Sequence, residues 1–301
     1  RSCLVGSEMC IRDRYKVNPR SVDAIFEDNS IEAILIASST DTHSDFIEKA
    51  SKAGKAILCE KPVDLSLARA KRCLENTKSN EHLIMMGFNR RFDPNFVALK
   101  NALDGGEIGT AELLSITSFD PAPPPIDYVK VSGGIFKDMM IHDFDMANFL
   151  YGELPKSVFV SASAIIDKKI GALGDYDTAV ATLKYRDGRL AVIKNSRRAT
   201  YGYDQRIEVL GSKGLLQVQN MVENSMVKST EMGVESSKPE YFFLERYKSA
   251  YQNEWTAFVT ALKTKTPMPV SLSDGIAALA IAEAAAASAE MGSEVEIANF
   301  L

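Results

Sequence analysis

The stretch IEAILIASSTDTHSDFIEKASKAGKAILCEKP, residues 31–62, decides the architecture. IEAILIAS is a compact apolar run of strand length, suited to a strand buried on both faces. The next segment reads as a helix: Thr42 and Asp45 are spaced as a capping box, Phe46, Ile47 and Ala50 supply an apolar side, and Gly54 stops it. AILCEKP is then a second buried strand. Downstream, DLSLARAKRCLENTKSN reads as a helix with Ser66 near its start, and HLIMMGF as a third strand. Upstream, SVDAIFED reads as a short helix. Strand, helix, strand, helix, strand implies βαβ units and a parallel sheet, hence an α/β fold.

Past RRFDP the pattern changes, which puts a domain boundary near Phe92. NFVALKNALDGGEIG is a connecting helix ending at Gly105 and Gly106, and AELLSITSF opens a region of strands. DTAVATLKY and LAVIKNSRRA flank a hairpin turn at residues 186–189; QRIEVLG and GLLQVQN flank another at 211–214. The expectation is an α+β domain over residues 93–301 with an open, mostly antiparallel sheet, one face solvated or covered by a partner. Two helices close the chain, one carrying Trp255 at a core-like spacing.

Net charge is −5, which leaves no basic footprint for nucleic acid. No apolar run is expected to span a membrane, since the longest, after Gly275, is Ala-rich and interrupted by Glu283. Cys3, Cys10, Cys59 and Cys73 form no CxxC pair and follow no secretory leader, so disulfides are not expected. The histidines are His43, His82 and His142, too few and too dispersed for a zinc site, and metal-free chemistry in the cytoplasm is expected. The opening RSCLVGSEMCIRDR has neither helical nor strand periodicity, and LVGSEMCIRD within it resembles the translation of a transposase adapter used in sequencing libraries. Residues 1–14 are therefore set aside as non-native, leaving residues 15–92 as a partial first domain.

GGIFKDMMIHDFDMANFL, residues 133–150, spaces Asp138, His142 and Asp145 at i, i+4 and i+7, a rhythm that normally marks a buried apolar stripe. Together with CEKP and GFNRRFDP it resembles the glucose–fructose oxidoreductase/inositol dehydrogenase (Gfo/Idh/MocA) family. DPAPPP (residues 120–125) and SRRATYGYDQR (196–206) bring it nearest to that family's inositol 2-dehydrogenases. The likeness covers residues 15–301. It implies a Rossmann domain, a C-terminal α/β domain with an open sheet, a homo-oligomer of tetrameric kind, and NAD(P)-dependent oxidation of a cyclic polyol, myo-inositol to its 2-keto form. One departure matters: no GxGxxG precedes IEAILIAS. At least one βαβ unit, on the order of 30 residues, is then expected upstream, together with the acidic residue that separates NAD from NADP. The residues in hand alone are expected to fold and bind dinucleotide poorly, which micromolar NAD binding would refute.

Oxidising a secondary alcohol sends a hydride to the nicotinamide and a proton to a base, with a cation beside the developing alkoxide. His142 suits the base because its ordinary pKa lies near working pH. Asp138, one turn earlier, is expected to orient the ring. Asp145, a turn later, would accept hydrogen bonds from substrate, whereas Asp143, off the stripe, is structural. Lys61 ends a parallel strand, where α/β sheets place ligands, and Pro62 restricts its backbone; the resemblance puts it on both the substrate hydroxyl and the nicotinamide ribose. Glu60 contacts cofactor or pairs with a cation. Ser39, Thr40 and His43 open a helix after the first strand, where free N–H groups face the cofactor or cap the helix. Asn89 and Arg91 would share one side of an extended segment as cofactor or substrate contacts, the rival reading being a surface arginine pair. Asp120, presented by the polyproline-like rim, and Tyr203 are substrate candidates, with Tyr201 equally good chemically. The rivals are a dehydrogenase of another sugar or polyol, and a non-catalytic sugar-binding relative, which would have no need of a base.

Overall fold

The structure is a computed structural model and describes residues 20–301, so the adapter-like segment lies outside the described residues. A helix α1 (Val22–Glu27), capped by Ser21, precedes β1 (Ala33–Ile36). Then come α2 (His43–Lys52), β2 (Ala56–Glu60), α3 (Leu67–Thr77) and β3 (Ile84–Gly87). The three strands are parallel in the order β1-β2-β3, with Ile34 opposite Ile57 and Ile57 opposite Ile84. β2 and β3 carry continuous apolar runs because both their faces are covered. β1 differs from the expectation. Ile36 packs inward with Ile47, but Leu35 on the opposite face is 55% exposed, because β1 has one neighbour and one covered face among the described residues.

The expected Thr42–Asp45 capping box does not form. The Thr42 hydroxyl donates to the Ser39 carbonyl (2.7 Å), and Asp45 accepts from Arg69 (2.7 Å) instead. Ser66 does cap α3, accepting from the Arg69 N–H.

The chain continues through α4 (Pro94–Asp104), β4 (Ala111–Phe119), α5 (Ile126–Ser132), a π-helical turn (Phe136–Met140) and α6 (Ile141–Tyr151). It then runs through β5 (Ser157–Ser163), α7 (Lys168–Ala172), β6 (Thr178–Lys184), β7 (Leu190–Ser196), β8 (Asp204–Gly211) and β9 (Gly214–Val218). A separate hairpin, β10 (Val227–Thr230) and β11 (Gly233–Ser236), stands off this sheet. The short α8 (Phe243–Arg246) leads into the long α9 (Lys248–Thr264), α10 (Leu272–Met291) and β12 (Val295–Glu296). The large sheet has the order β12-β5-β6-β7-β4-β8-β9 and is antiparallel except between β7 and β4. On β6, Ala179, Ala181 and Leu183 point inward against α6 and α10, while Val180 points out and is 42% exposed. Phe159, Leu210 and Leu215 are exposed on neighbouring strands.

α10 joins the two cores. Leu272, Ile276 and Leu279 pack against the parallel sheet, whereas Ile281, Ala282, Ala284 and Ala285 pack with α6 and the large sheet. Burial of each large aliphatic side chain contributes roughly 1.5–3 kcal/mol. A Cβ at Gly275 would lie 2.8 Å from Val63 and 3.0 Å from Met86, so glycine here lets the helix touch the sheet. Contrary to the expectation from composition, this helix is long and apolar enough to cross a membrane, yet its window is 61% buried within the fold. A complete Ser271–Asp274 capping box starts it and Gly292, left-handed, ends it.

Candidate active site

The carboxyl ends of β1, β2 and β3 open on a cavity of about 790 Å³ whose opposite wall comes from the large-sheet domain. Ala37, Glu60, Lys61 and Asn89 line it from the parallel-sheet side; Asp120, Tyr128, Asp138, His142, Arg197 and Tyr203 line it from the other. Lys61 and His142, from elements far apart in sequence, therefore face one space. Phe242, Phe243, Tyr247 and Tyr251 add an aromatic flank.

Lys61 reaches across the cavity to the π-helical turn. Widened turns of this kind take backbone groups out of the regular ladder. Here the Lys61 ammonium donates to the Asp138 carbonyl at 2.5 Å and stands 3.4 Å from the Asp138 carboxylate. Asp138 also accepts from the Tyr128 hydroxyl (2.8 Å) and faces Arg197 at 3.5 Å. It makes no hydrogen bond to His142, against the expectation that it orients the ring. Helical side chains lean toward the N-terminus, so the Asp138 carboxylate points back to Lys61 and Tyr128 rather than forward to the next turn.

His142 is positioned by packing, its ring meeting Phe88 edge-on with centroids 6.1 Å apart. Its Nδ1 is buried without a hydrogen-bond partner among the described residues. Burial first, then the charges of Lys61 and Arg90, hold its pKa well below the ordinary 6.5, so the imidazole is a neutral proton acceptor. Asp120 is pushed up to about 7, mainly by burial, with Arg197 opposing. Burial raises Glu60 as well, against the pull of Lys61. Of the two tyrosine candidates, Tyr203 lines the cavity with its ring edge-on to Tyr247. Tyr201 is 46% exposed and its hydroxyl bonds Asp204.

Five expected contacts lie elsewhere. Asp145 is fully buried and paired with Arg91 through two bonds of 2.6 and 2.9 Å. Three residues beyond His142 it is turned about 60° around the helix, off the cavity wall. Arg91 also reaches Asp274 at 3.2 Å, which makes it a strut from α6 to the start of α10 rather than a cofactor contact. The reason is that residues 89–92 form a 3-10 turn and not an extended segment, so Arg91 does not share a side with Asn89. Asn89 and Arg90 face the cavity in consequence. His43 is buried, its Nδ1 2.8 Å from the Pro62 carbonyl and its Nε2 3.2 Å from that of Ser38, so it ties down the Lys61 loop. Ser39, exposed, and Thr40, half-buried, lie at the end of β1 beside Ala37 but outside the cavity lining. Asp145→Asn is expected to destabilise the fold by about 3–5 kcal/mol by leaving a buried cation underpaired; denaturant unfolding measures this, while KM for substrate stays near the wild-type value.

Sequence reasoning missed Arg90, Tyr128 and Arg197. Arg90 bonds Asp143 (2.6 Å) and Ser118 (3.2 Å), and Asp143 accepts from Asn195 (2.8 Å), so Asp143 is spent on a buried network behind the cavity wall. Arg197 had a legible signal. Ala191, Ile193 and Asn195 of β7 all face inward, and the strand period of two extends to Arg197.

The residues present fit the nicotinamide end of a dinucleotide. Ala37, Glu60 and Asn89 stand at the carboxyl ends of adjacent parallel strands, where such sheets bind ligands. Asn89 is buried and brings a neutral amide to the same cavity. Fold and site thus define a two-part α/β oxidoreductase. Comparison with known proteins is more specific. Residues 8–88 match the oxidoreductase family with an NAD-binding Rossmann fold, a match that begins within the adapter-like segment, and residues 96–217 match the GFO/IDH/MocA C-terminal domain. The chain is 48% identical over 288 residues to an inositol 2-dehydrogenase of Rhizobium meliloti (strain 1021), covering 96% of this chain and 87% of that one. It is 48% identical to a myo-inositol 2-dehydrogenase of Thermotoga maritima, covering 91% and 82%. The structure superposes on scyllo-inositol dehydrogenase from Lactobacillus casei with bound NAD(H) and scyllo-inositol at a TM-score of 0.86, with 28% identity over 93% of this chain and 83% of that one. This chain belongs to the Gfo/Idh/MocA oxidoreductase family.

Proposed function

We propose that the protein is an NAD-dependent inositol 2-dehydrogenase that oxidises the secondary alcohol of myo-inositol to a ketone. The observation that carries this reading is the convergence of the Lys61 ammonium and the neutral His142 imidazole on one cavity with polar walls. The two inositol 2-dehydrogenase relatives support the substrate class, and the L. casei structure supports the cofactor. Bound NAD supplies the hydride acceptor for the carbinol carbon. His142 takes the hydroxyl proton, and Lys61, held on the Asp138 carbonyl and carboxylate, steadies the alkoxide. Asp120 and Tyr203 bind the remaining hydroxyls, and Asn89 and Glu60 would hold the cofactor at the strand ends. On this reading residues 15–92, with the core-forming part of α10, hold cofactor, and residues 93–301 bind substrate and assemble. The outer face of the large sheet, with Phe159, Val180, Leu210 and Leu215 exposed, is the surface on which a cytoplasmic homotetramer forms.

The test is nicotinamide reduction by the purified protein, with NAD or NADP and a panel of inositols, sugars and acyclic polyols. A kcat/KM highest for myo-inositol with NAD is expected. Preference for another sugar would replace the substrate, and binding of polyols without turnover would end the enzymatic reading.

A further inference from the structure

We propose that Arg197, anchored from behind by Asp175, is a positioning residue that holds the Asp138 carboxylate on Lys61. The inference rests on the functional reading above and adds a residue to it. Arg197 follows β7 and is 1% exposed, the largest fully buried side chain in the molecule's described part. Its Nη1 faces the Asp138 carboxylate at 3.5 Å, and its Nη2 faces the Asp175 carboxylate at 3.7 Å. Asp175 in turn accepts from the Ile135 N–H at 2.9 Å, at the entrance of the π-helical turn. The turn whose carbonyl and carboxylate hold Lys61 is thus gripped at its start by Asp175 and in its middle by Arg197. Close packing fixes the grip: a Cβ at Gly134 would stand 2.7 Å from the Asp175 carboxylate, and Gly134 is left-handed.

The grip is under-bonded. Arg197 Nε and Nη2 and Asp175 Oδ2 are buried with no hydrogen-bond partner among the described residues. A buried guanidinium in that condition favours any displacement that shortens its two carboxylate contacts. Movement of Asp138 toward Arg197 by a few tenths of an ångström would draw Lys61 with it, because the ammonium is bonded to the same residue. Arg197 acts on the chemistry through that displacement and does not itself donate to substrate.

The same guanidinium faces the second carboxylate of the cavity. Asp120 lies among Arg197, Arg90, Asp138, Asp143, Tyr128 and Tyr203, and after burial Arg197 is the strongest influence on it, favouring the ionised form. This supplies a readout with a sign: loss of packing alone would admit water and lower the Asp120 titration, whereas loss of the guanidinium charge raises it.

Arg197→Met is therefore expected to lower kcat about a hundredfold, the scale on which small misplacements act, with KM for inositol changed less than about threefold. Arg197→Lys, which keeps the charge, should recover at least about tenfold of the loss. Asp175→Asn, outside the cavity lining, should lower kcat in the same sense at unchanged KM. Independently of turnover, the Asp120 carboxylate, followed by 13C NMR without cofactor or substrate and assigned with Asp120→Asn, should titrate near pH 7 in the wild type and higher in Arg197→Met. Raised KM at wild-type kcat would make Arg197 a substrate ligand and overturn the proposal. So would an unmoved Asp120 titration, or wild-type kcat in Asp175→Asn; the last decides the matter if the Arg197 variants do not fold. A wild-type enzyme that oxidises no polyol would instead end the functional reading, while the NMR shift would still stand or fall on its own.

Discussion

Replacement of Lys61 by methionine is expected to lower kcat for polyol oxidation by about a hundred- to a thousandfold, the scale for removing one preorganised donor from a developing oxyanion. Methionine keeps the apolar length of the lysine stem and removes only the charge. The fold should survive, because Asp138 retains the Tyr128 hydroxyl at 2.8 Å and Arg197 at 3.5 Å, so no carboxylate is stranded. The variant also has a predicted signature at His142. Lys61 is one of two charges that depress the imidazole pKa, behind burial, so its removal moves that pKa upward toward 6.5. The acid limb of kcat/KM should shift to higher pH in Lys61→Met. A variant with wild-type kcat, or one whose acid limb moves downward, would show that the ammonium and the imidazole do not share an electrostatic site.

How far the sequence carried this picture depends on what kind of geometry each statement needed. β2 and β3 were legible as continuous apolar runs, because a parallel strand buried on both faces leaves no polar alternation. The hairpins around residues 186–189 and 211–214 were legible from turn chemistry. β5 was not: SVFVSAS alternates weakly, and its inward Val158 and Val160 acquire meaning only against Ser288 and α10. The resemblance placed Lys61 and His142, and the fold puts both on one cavity. What failed was inference from spacing to direction. Asp138, His142 and Asp145 share a periodicity, yet the tilt of helical side chains turns Asp138 toward Lys61, and Arg91 captures Asp145. A 3-10 turn of four residues exchanged Arg90 for Arg91 at the cavity, and no local sequence signal distinguishes that turn from an extended strand end. His43 looked like a cofactor contact because it opens a helix, but its two nitrogens are taken by carbonyls of the loops it joins.

His142→Asn is expected to reduce kcat by about a hundred- to ten-thousandfold, the range for loss of a general base, and to abolish the acid limb of the pH–rate profile. The direction of that limb follows from the shift. Burial, Lys61 and Arg90 favour the neutral ring, so wild-type kcat/KM should stay level as pH falls through 6.5 and decline only well below it. Stability should show the matching behaviour. In the unfolded chain the imidazole takes up a proton near its ordinary pKa of 6.5, whereas in the fold it does not. The unfolded state then binds more protons, and wild-type stability falls as pH drops below 6.5 toward the depressed native value. An asparagine side chain cannot titrate, so the unfolding free energy of His142→Asn should lose less between pH 7 and pH 5 than that of the wild type. Asparagine is uncharged and no larger than the ring, so the variant brings no buried charge or overpacking and should fold at neutral pH. A folded His142→Asn enzyme with near-normal turnover would leave Lys61 as the remaining proton acceptor and reverse the assignment of base and cation. A folded variant that is inactive, with a flat acid limb and a shallower loss of stability in acid, is the outcome that a neutral, desolvated imidazole facing Lys61 requires.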